Sequence, residues 1–312
     1  MFDFASMQMN DGALLELQTT EQYADQKLKF HKELRSADLW ADELPPPFYN
    51  RDLHRQKNHI IYFTPRSGSS WLTQELSATN RLGRAGEFLN PSFVKAIAES
   101  LKLKHHTLEA YLRRLIAKSR TGNNLFTIEC TIYHIHELGA DLSTFHQYIN
   151  PHQASVLNIR KNIIAQGISL YKATQTNIFH TAGKTEKEIS ESKNFSDFNK
   201  QKILHWIRHI LDQERKLAAY FREHAIRPKL MFYEDHYLEG ARTLEVIAEH
   251  LNVRLDDDNG RRNPAHTNGH HRLAGNSNRV LEQQVRNTCA SEVAKIEKQR
   301  SPILEYFSSI SP

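Results

Sequence analysis

A short loop rich in serine stands between an apolar run and a helical pattern early in the chain. The loop reads Pro-Arg-Ser-Gly-Ser-Ser-Trp-Leu over residues 65–72, directly after the apolar residues 59–63. This order predicts a strand, a loop and a helix in direct succession. The first N–H groups of a helix have no intrahelical partners and lie at the positive end of the helix dipole. A loop at that position can therefore bind a phosphate-sized anion.

The side chains of this anion-binding loop, residues 65–72, fit the same chemistry. Arg66 offers a fork of charged donors, Gly68 lets the backbone approach a ligand closely, and Trp71 completes the candidate binding set. The serine hydroxyls in the set are Ser67, Ser69 and Ser70. The Gly-Lys-Ser/Thr ending of nucleoside triphosphatase loops is missing, which disfavours hydrolysis of ATP or GTP. An ordinary strand-to-helix turn with chance serines is the alternative interpretation.

A second cationic position follows a later apolar run. Arg160 and Lys161 come directly after residues 154–159, and Ser169 lies about two turns into the helical pattern that follows. Ligands of open parallel sheets bind at the carboxyl ends of the strands. A guanidinium or ammonium group there, together with a hydroxyl, could bind a second phosphate.

Three separated segments of the chain together resemble one enzyme superfamily. Residues 65–72, 81–91 and 165–170 resemble, in the same order, segments of the sulfotransferases that use 3′-phosphoadenosine 5′-phosphosulfate (PAPS). The bacterial trehalose, lipopolysaccharide and nodulation-factor enzymes are the most similar group. The resemblance implies PAPS as donor, with the first loop at its 5′-phosphosulfate and the second site at its 3′-phosphate. The family places an arginine eight residues before the serine, whereas here Lys161 has that spacing and Arg160 precedes Ser169 by nine. Which cation holds the 3′-phosphate therefore stays open.

Sulfuryl transfer needs a group that stabilises the leaving phosphate and a base that deprotonates the acceptor hydroxyl. Arg66 suits the first task. By resemblance to the trehalose enzyme, Glu87 matches the carboxylate proposed as general base, with a solvent-exposed loop glutamate as the alternative. Two further positions bear on the site: Glu129 occupies a place where relatives often carry lysine, and residues 233–235 resemble a Tyr-Glu-Asp motif with a structural role.

The segment 270–279 resembles the His, Gly-Asn and Arg pattern of carbohydrate sulfotransferases. Arg272 could close over a donor phosphate, and Gly275 would allow the loop to do so without steric hindrance. A metal site and a polar surface loop are the alternatives here. The metal interpretation is based on three histidines: His266, His270 and His271. No cysteine or carboxylate accompanies them at a spacing typical of metal sites. No metal is expected.

The elements that must position these residues follow from the apolar pattern. Apolar runs predict strands at 59–63, 125–133, 154–159 and 229–233, and helical patterns separate them. This alternation predicts an α/β, P-loop-like, three-layer fold with a central, mainly parallel sheet flanked by helices. Residues 1–56 are expected to be an N-terminal flanking extension that includes a helical stretch at 22–34, and 57–312 the sulfotransferase domain. A polar insertion at about 183–200 is expected to be a loop or mobile lid.

Composition sets the remaining limits. The 312 residues are 39% hydrophobic and 25% charged, with a formal charge of +5, which is typical of a globular protein with an anionic ligand. A nucleoside or sugar kinase would need a loop lysine and a magnesium-binding carboxylate, and an RNA-binding protein a basic stripe with interleaved aromatics. Neither pattern is clear. Cys130 and Cys289 are expected to be free thiols. We expect a cytoplasmic enzyme with a carbohydrate or glycolipid acceptor, no nucleic acid and no membrane span, and with a homodimer as one option.

Overall fold

The computed structural model describes residues 29–40, 57–179, 184–256 and 275–312. Within these residues a four-stranded sheet forms the centre of the fold, and all its neighbouring strands are parallel. The strands are β1 (Lys57–Phe63), β2 (Leu125–Cys130), β3 (Ser155–Ile159) and β4 (Lys229–Phe232), in the order β2-β1-β3-β4. The four strands predicted from the sequence are therefore confirmed, as is the parallel sheet.

The strand order creates a crevice at one position of the sheet. Tyr62 of β1 pairs with Cys130 of β2 on one side and with Leu157 of β3 on the other. The chain therefore passes from β1 to β2 on one side and then crosses to β3 on the opposite side. Ligands of such sheets bind beyond the carboxyl ends of the strands where this reversal occurs, here between β1 and β3.

Helices surround the sheet. Those before β3 are α1 (Lys29–Ser36), α2 (Ser69–Ala78), α3 (Pro91–Leu101), α4 (Leu108–Ser119), α5 (Ile132–His136) and α6 (Leu142–Tyr148), with a 3-10 turn at Gly139–Asp141. Those after β3 are α7 (Ile163–Thr176), α8 (Glu186–Asn194), α9 (Lys200–Glu223), α10 (Tyr233–Leu238), α11 (Gly240–His250), α12 (Asn276–Thr288) and α13 (Ala290–Ile310).

Alternating side chains of the strands enter cores on opposite faces of the sheet. Ile60 and Tyr62 of β1 pack in the core that includes residues of α3, α4, α9 and α13. Ile61 between them packs with Leu72 of α2 and Ile247 of α11. A third cluster joins α7, α9, α12 and α13. Both faces of the sheet are thus covered, which explains why the strands are nearly continuous apolar runs.

Two local predictions were wrong. The second strand, expected to reach Tyr133, ends at Cys130, and residues 132–136 form α5, because Thr131 caps that helix by accepting the His134 N–H while His134 Nδ1 accepts the Thr131 N–H. The polar stretch near 183–200, expected to be a loop or mobile lid, contains the helix α8, so the loop interpretation was wrong, whereas a lid stays a prediction. Thr185 and Glu188 form a capping box at its start, which stabilises a helix that has few apolar residues.

The first described segment belongs to the main core. Phe30 and Leu34 of α1 are fully buried there, and the ring of Phe30 meets that of Tyr111 edge-on, with centroids 5.7 Å apart. The helix expected at 22–34 is thus found from Lys29 onwards. No helix in the described segments is long and apolar enough to cross a membrane.

Candidate active site

The anion-binding loop connects β1 to α2 through two left-handed residues. Arg66 has φ 66° and Gly68 has φ 79°. A Cβ atom at Gly68 would also overlap the ring of Tyr233, so both the backbone angle and the close contact require glycine there. The tight turn predicted at this position is therefore present.

The first turn of α2 contains Ser69, Ser70 and Trp71. Ser69 is buried, whereas Ser70 and Trp71 are half-buried. Gly68 at the helix start supplies no side-chain cap to the first N–H groups. This is the geometry in which the start of a helix binds an anion.

Two buried amide side chains hold the loop from the side of the sheet. Asn158 of β3 donates from Nδ2 to the Ser67 carbonyl oxygen at 3.2 Å, and Gln166 of α7 donates from Nε2 to the Pro65 carbonyl at 2.7 Å. Gln166 Nε2 also donates to Thr64 Oγ1 at 2.9 Å. These bonds fix the loop carbonyls toward β3 and α7. Ser67 is itself fully buried, so its hydroxyl belongs to this support.

Arg66 of the anion-binding loop contacts Ser169, the hydroxyl predicted to belong to the second cationic position. Its Nε donates to Ser169 Oγ at 3.2 Å, and its Nη1 donates to the Phe179 carbonyl. Burial, and then the charge of nearby Arg160, lower the pKa of Arg66 to about 10. The group is still cationic at neutral pH, and two guanidinium groups lie close enough to repel each other.

Arg160 and Lys161, beyond the end of β3, point in different directions. Arg160 has an 11% exposed side chain, donates from Nε to Glu234 Oε1 at 3.3 Å and lies 4.8 Å from the ring centre of Tyr233. The Lys161 side chain is 53% exposed and reaches Asp235 Oδ1 at 2.6 Å. Arg160 thus faces the anion-binding loop, whereas Lys161 faces solvent. The Tyr-Glu-Asp segment orients both.

A buried ion pair between Arg300 and Glu214 holds the backbone of the turn that contains Arg160 and Lys161. Arg300 of α13 donates from Nε and Nη2 to the two carboxylate oxygens of Glu214 in α9, each at 2.7 Å. Its Nη1 also donates to the Lys161 carbonyl at 2.7 Å, and its Nη2 donates to the Arg160 carbonyl. Arg300 is 3% exposed and Glu214 is fully buried. The guanidinium fork therefore fixes the backbone of the second cationic position.

Glu87 lies in the loop between α2 and α3, with a 23% exposed side chain. Asn90 Nδ2 donates to its Oε2 at 2.8 Å, and His134 Nε2 lies 3.8 Å from the same oxygen. Burial lowers the pKa of His134 to about 3, so its ring is neutral. Because its Nδ1 accepts the Thr131 N–H, the ring proton is on Nε2 and faces Glu87.

Glu129 of β2 contacts both the segment of Glu87 and α2, the helix that follows the anion-binding loop. Its backbone N–H donates to the Gly86 carbonyl at 3.1 Å, next to Glu87. Its Oε2 is 3.0 Å from Thr73 Oγ1 in α2, and Thr73 Oγ1 donates to the Ser69 carbonyl at 2.6 Å. Glu129 is 3% exposed, and burial, followed by the charge of Glu87, raises its pKa to about 8.

The C-terminal candidates lie only partly within the described residues. Arg272 is outside them, as are the three histidines weighed as metal ligands. Gly275 precedes the first residue of α12 with φ −115°, which any residue can adopt, and a Cβ atom added there would lie at 3.6 Å from the Lys193 carbonyl oxygen, an ordinary contact. Lys172 of α7 fixes this end of the helix by donating to Ser277 Oγ at 2.8 Å. The described residues contain no group of three or more histidine, cysteine or acidic side chains arranged to hold a metal ion.

The arrangement corresponds to a known enzyme family. The profile of the family described as Stf0 sulphotransferase matches residues 58–280, well over half of the chain. The chain belongs to the Stf0 sulphotransferase family. The predicted enzyme class and fold are therefore confirmed, and neither the kinase nor the RNA-binding alternative is needed. No curated protein gave a significant match.

Several residues that shape this Stf0 site were not identified from the sequence. Arg300 occupies a helix face otherwise formed by Ile296, Ile303 and Phe307, and an arginine in such a face is a usable sign of a buried charge. Gln166, a polar residue within the apolar start of α7, gives a similar sign. Nothing in the sequence identified His134, because its position beside Glu87 depends on the hydrogen bonds that cap α5.

Proposed function

We propose that this Stf0 enzyme transfers the sulfuryl group of PAPS to a hydroxyl group of a carbohydrate or glycolipid. The observation that carries the proposal is that Arg66 and Arg160 stand at the carboxyl ends of β1 and β3, where the strand order reverses, with the ring of Tyr233 packed against both Arg160 and the loop at Gly68. Their mutual repulsion would be relieved by an anion between them. The start of α2 next to them offers a second feature that favours negative charge.

The donor's two anionic ends would have distinct partners. Arg66 and the N–H groups at the start of α2 suit the 5′-phosphosulfate. Arg160 suits the 3′-phosphate better than Lys161 does, because Arg160 faces the loop while Lys161 is exposed and paired with Asp235. PAPS supplies the sulfuryl group and a phosphate leaving group on which negative charge grows during transfer.

Glu87 is the residue we assign as general base. Its carboxylate is held by Asn90 and faced by a neutral imidazole, so it keeps one orientation while remaining partly exposed to an incoming hydroxyl. Arg66 would stabilise the charge that develops on the leaving oxygen. Both tasks then fall to residues at one end of the sheet.

Donor binding is tested by calorimetry with the desulfated product, 3′-phosphoadenosine 5′-phosphate, against ATP with magnesium. We expect the bisphosphate to bind more tightly, because the crevice offers two separated cationic positions. A preference for ATP with magnesium would contradict the assignment of both positions.

The base is tested by Glu87→Gln, once an acceptor has been found by screening labelled donor against disaccharides, lipopolysaccharide and nodulation-type oligosaccharides. Turnover should fall roughly 10²–10⁴-fold, as for a lost general base, while bisphosphate affinity stays unchanged. Glu99→Gln in α3, which changes a carboxylate outside the site, is the matched control. Wild-type turnover in Glu87→Gln would show that Glu87 is not the base.

A further inference from the structure

We propose that Glu129 is a positioning residue that acts as a neutral carboxylic acid and links the segment of Glu87 to the helix that carries the anion-binding loop. The inference rests on the proposed role of Glu87. One residue makes both contacts: its backbone holds Gly86, and its side chain meets Thr73 of α2. Because a buried side chain and a strand backbone are both rigid, Glu129 sets the distance between base and donor.

The hydrogen bonds around Thr73 favour a proton on Glu129. The hydroxyl of Thr73 has one hydrogen, and the carbonyl oxygen of Ser69, at 2.6 Å, can only accept it. With that hydrogen used on Ser69, the contact of 3.0 Å between Thr73 Oγ1 and Glu129 Oε2 is strongest when Glu129 supplies a hydrogen of its own. A protonated Glu129 donates to Thr73, which donates to Ser69. An ionised Glu129 would face the lone pairs of a hydroxyl whose hydrogen is already used.

Burial decides which of the two neighbouring carboxyl groups is neutral. Glu129 is 3% exposed, whereas the side chain of Glu87 is 23% exposed, so charge is more costly on Glu129. The raised pKa of Glu129 agrees with this assignment. Two titratable neighbours of these carboxyl groups carry no positive charge: Cys130, next to Glu129, is a neutral thiol, because burial raises its pKa, and His134, beside Glu87, is a neutral imidazole.

This arrangement has a consequence for the reaction. While Glu129 keeps its proton, Glu87 is the ionised carboxylate of the pair and can take the proton from the substrate hydroxyl that receives the sulfuryl group. When Glu129 ionises, it loses the bond to Thr73 and places a second negative charge beside Glu87, so the base segment and α2 are pushed apart. Activity should therefore fall above about pH 8.

The test compares wild type with Glu129→Gln, whose amide is neutral, of similar size and able to donate to Thr73. Infrared spectroscopy should show a protonated buried carboxylic acid in the wild type at neutral pH, absent from the variant and lost from the wild type as pH rises past about 8. Glu129→Gln should retain most of the turnover at neutral pH, far from the roughly 10²–10⁴-fold loss expected for a missing base. It should also lack the alkaline fall in rate.

Two results would overturn the proposal. One is the absence of a protonated carboxylic acid that depends on Glu129. The other is a loss of turnover in Glu129→Gln at neutral pH as large as that in Glu87→Gln, which would mean that Glu129 works as a carboxylate. Failure of the base assignment looks different, because Glu87→Gln would then be fully active while the infrared signal of Glu129 remained.

Discussion

Replacing Arg300 by methionine tests how much of the site depends on the buried ion pair. Methionine has a similar length but donates no hydrogen bonds, so Glu214 would stay buried without its cation. The two bonds to Glu214 are charge-assisted, and such bonds contribute about 1.5–3 kcal/mol each. The sum agrees with the roughly 3–5 kcal/mol typically lost when one partner of a buried pair is removed. We expect a loss of stability in that range.

The loss should depend on pH in a defined direction. Burial raises the pKa of Glu214, and the bonds from Arg300 oppose that rise. Without Arg300 the folded protein keeps a proton on Glu214 to higher pH than the unfolded chain does. The stability of Arg300→Met should therefore fall, relative to wild type, as pH rises above the ordinary carboxyl pKa, and the deficit should be smallest in acid.

Urea unfolding followed by tryptophan fluorescence measures these differences, and calorimetry measures bisphosphate binding. Arg300→Lys keeps the charge without the planar fork, and should bind the bisphosphate more weakly than wild type because the carbonyls of Arg160 and Lys161 lose their fixed donors. The double variant Arg300→Met, Glu214→Gln removes both charges and should recover part of the lost stability. A loss below about 1 kcal/mol in Arg300→Met, the value of an exposed pair, would refute the reasoning.

Arg66→Ala should weaken bisphosphate binding about tenfold or more in calorimetry, since charge-assisted bonds are lost, whereas Lys161→Ala, an exposed cation, should weaken it less. Equal effects would contradict the assigned orientations. Gly68→Ala should lower the melting temperature and donor affinity, because the ring of Tyr233 leaves no room for a Cβ; Gly122→Ala, with open space around it, is the control. For Glu129, a pKa of about 8 against 4.5 in the unfolded chain means that wild-type stability declines between those values, by about 5 kcal/mol at most. Glu129→Gln should remove that decline in urea unfolding, and an unchanged pH profile would count against a raised pKa.

The sheet could be predicted from the sequence because each strand is buried on both faces and so reads as a continuous apolar run. Predicted and observed ends of β1, β3 and β4 agree closely. The end of β2 was misplaced because alternation continues through residues 131–133. The hydrogen bonds that cap α5 outweigh that pattern, and they depend on the placement of one histidine ring.

The site was predictable as a set of positions but not as a set of contacts. Arg66 and Ser169 were assigned to opposite ends of the donor, yet they share a hydrogen bond, since α7 passes beside the loop. The position of α7 depends on its packing against α9, and residue spacing within α7 alone gives no information on that packing. The same holds for Glu129, whose departure from its relatives could be seen in the sequence, but whose contact with Thr73 could not.

The dependence of the second cationic turn on Arg300 has a consequence for synthesis of the protein. The carbonyls that Arg300 binds belong to residues made 140 and 139 positions earlier. At roughly 5–20 residues per second, Arg300 is synthesised about 7–30 s after the turn whose carbonyls it binds. A nascent chain that ends before residue 300 can form the sheet, yet the turn beyond β3 lacks its anchor. The ability to bind the sulfuryl donor should therefore arise late on the ribosome, after the strands that carry the site.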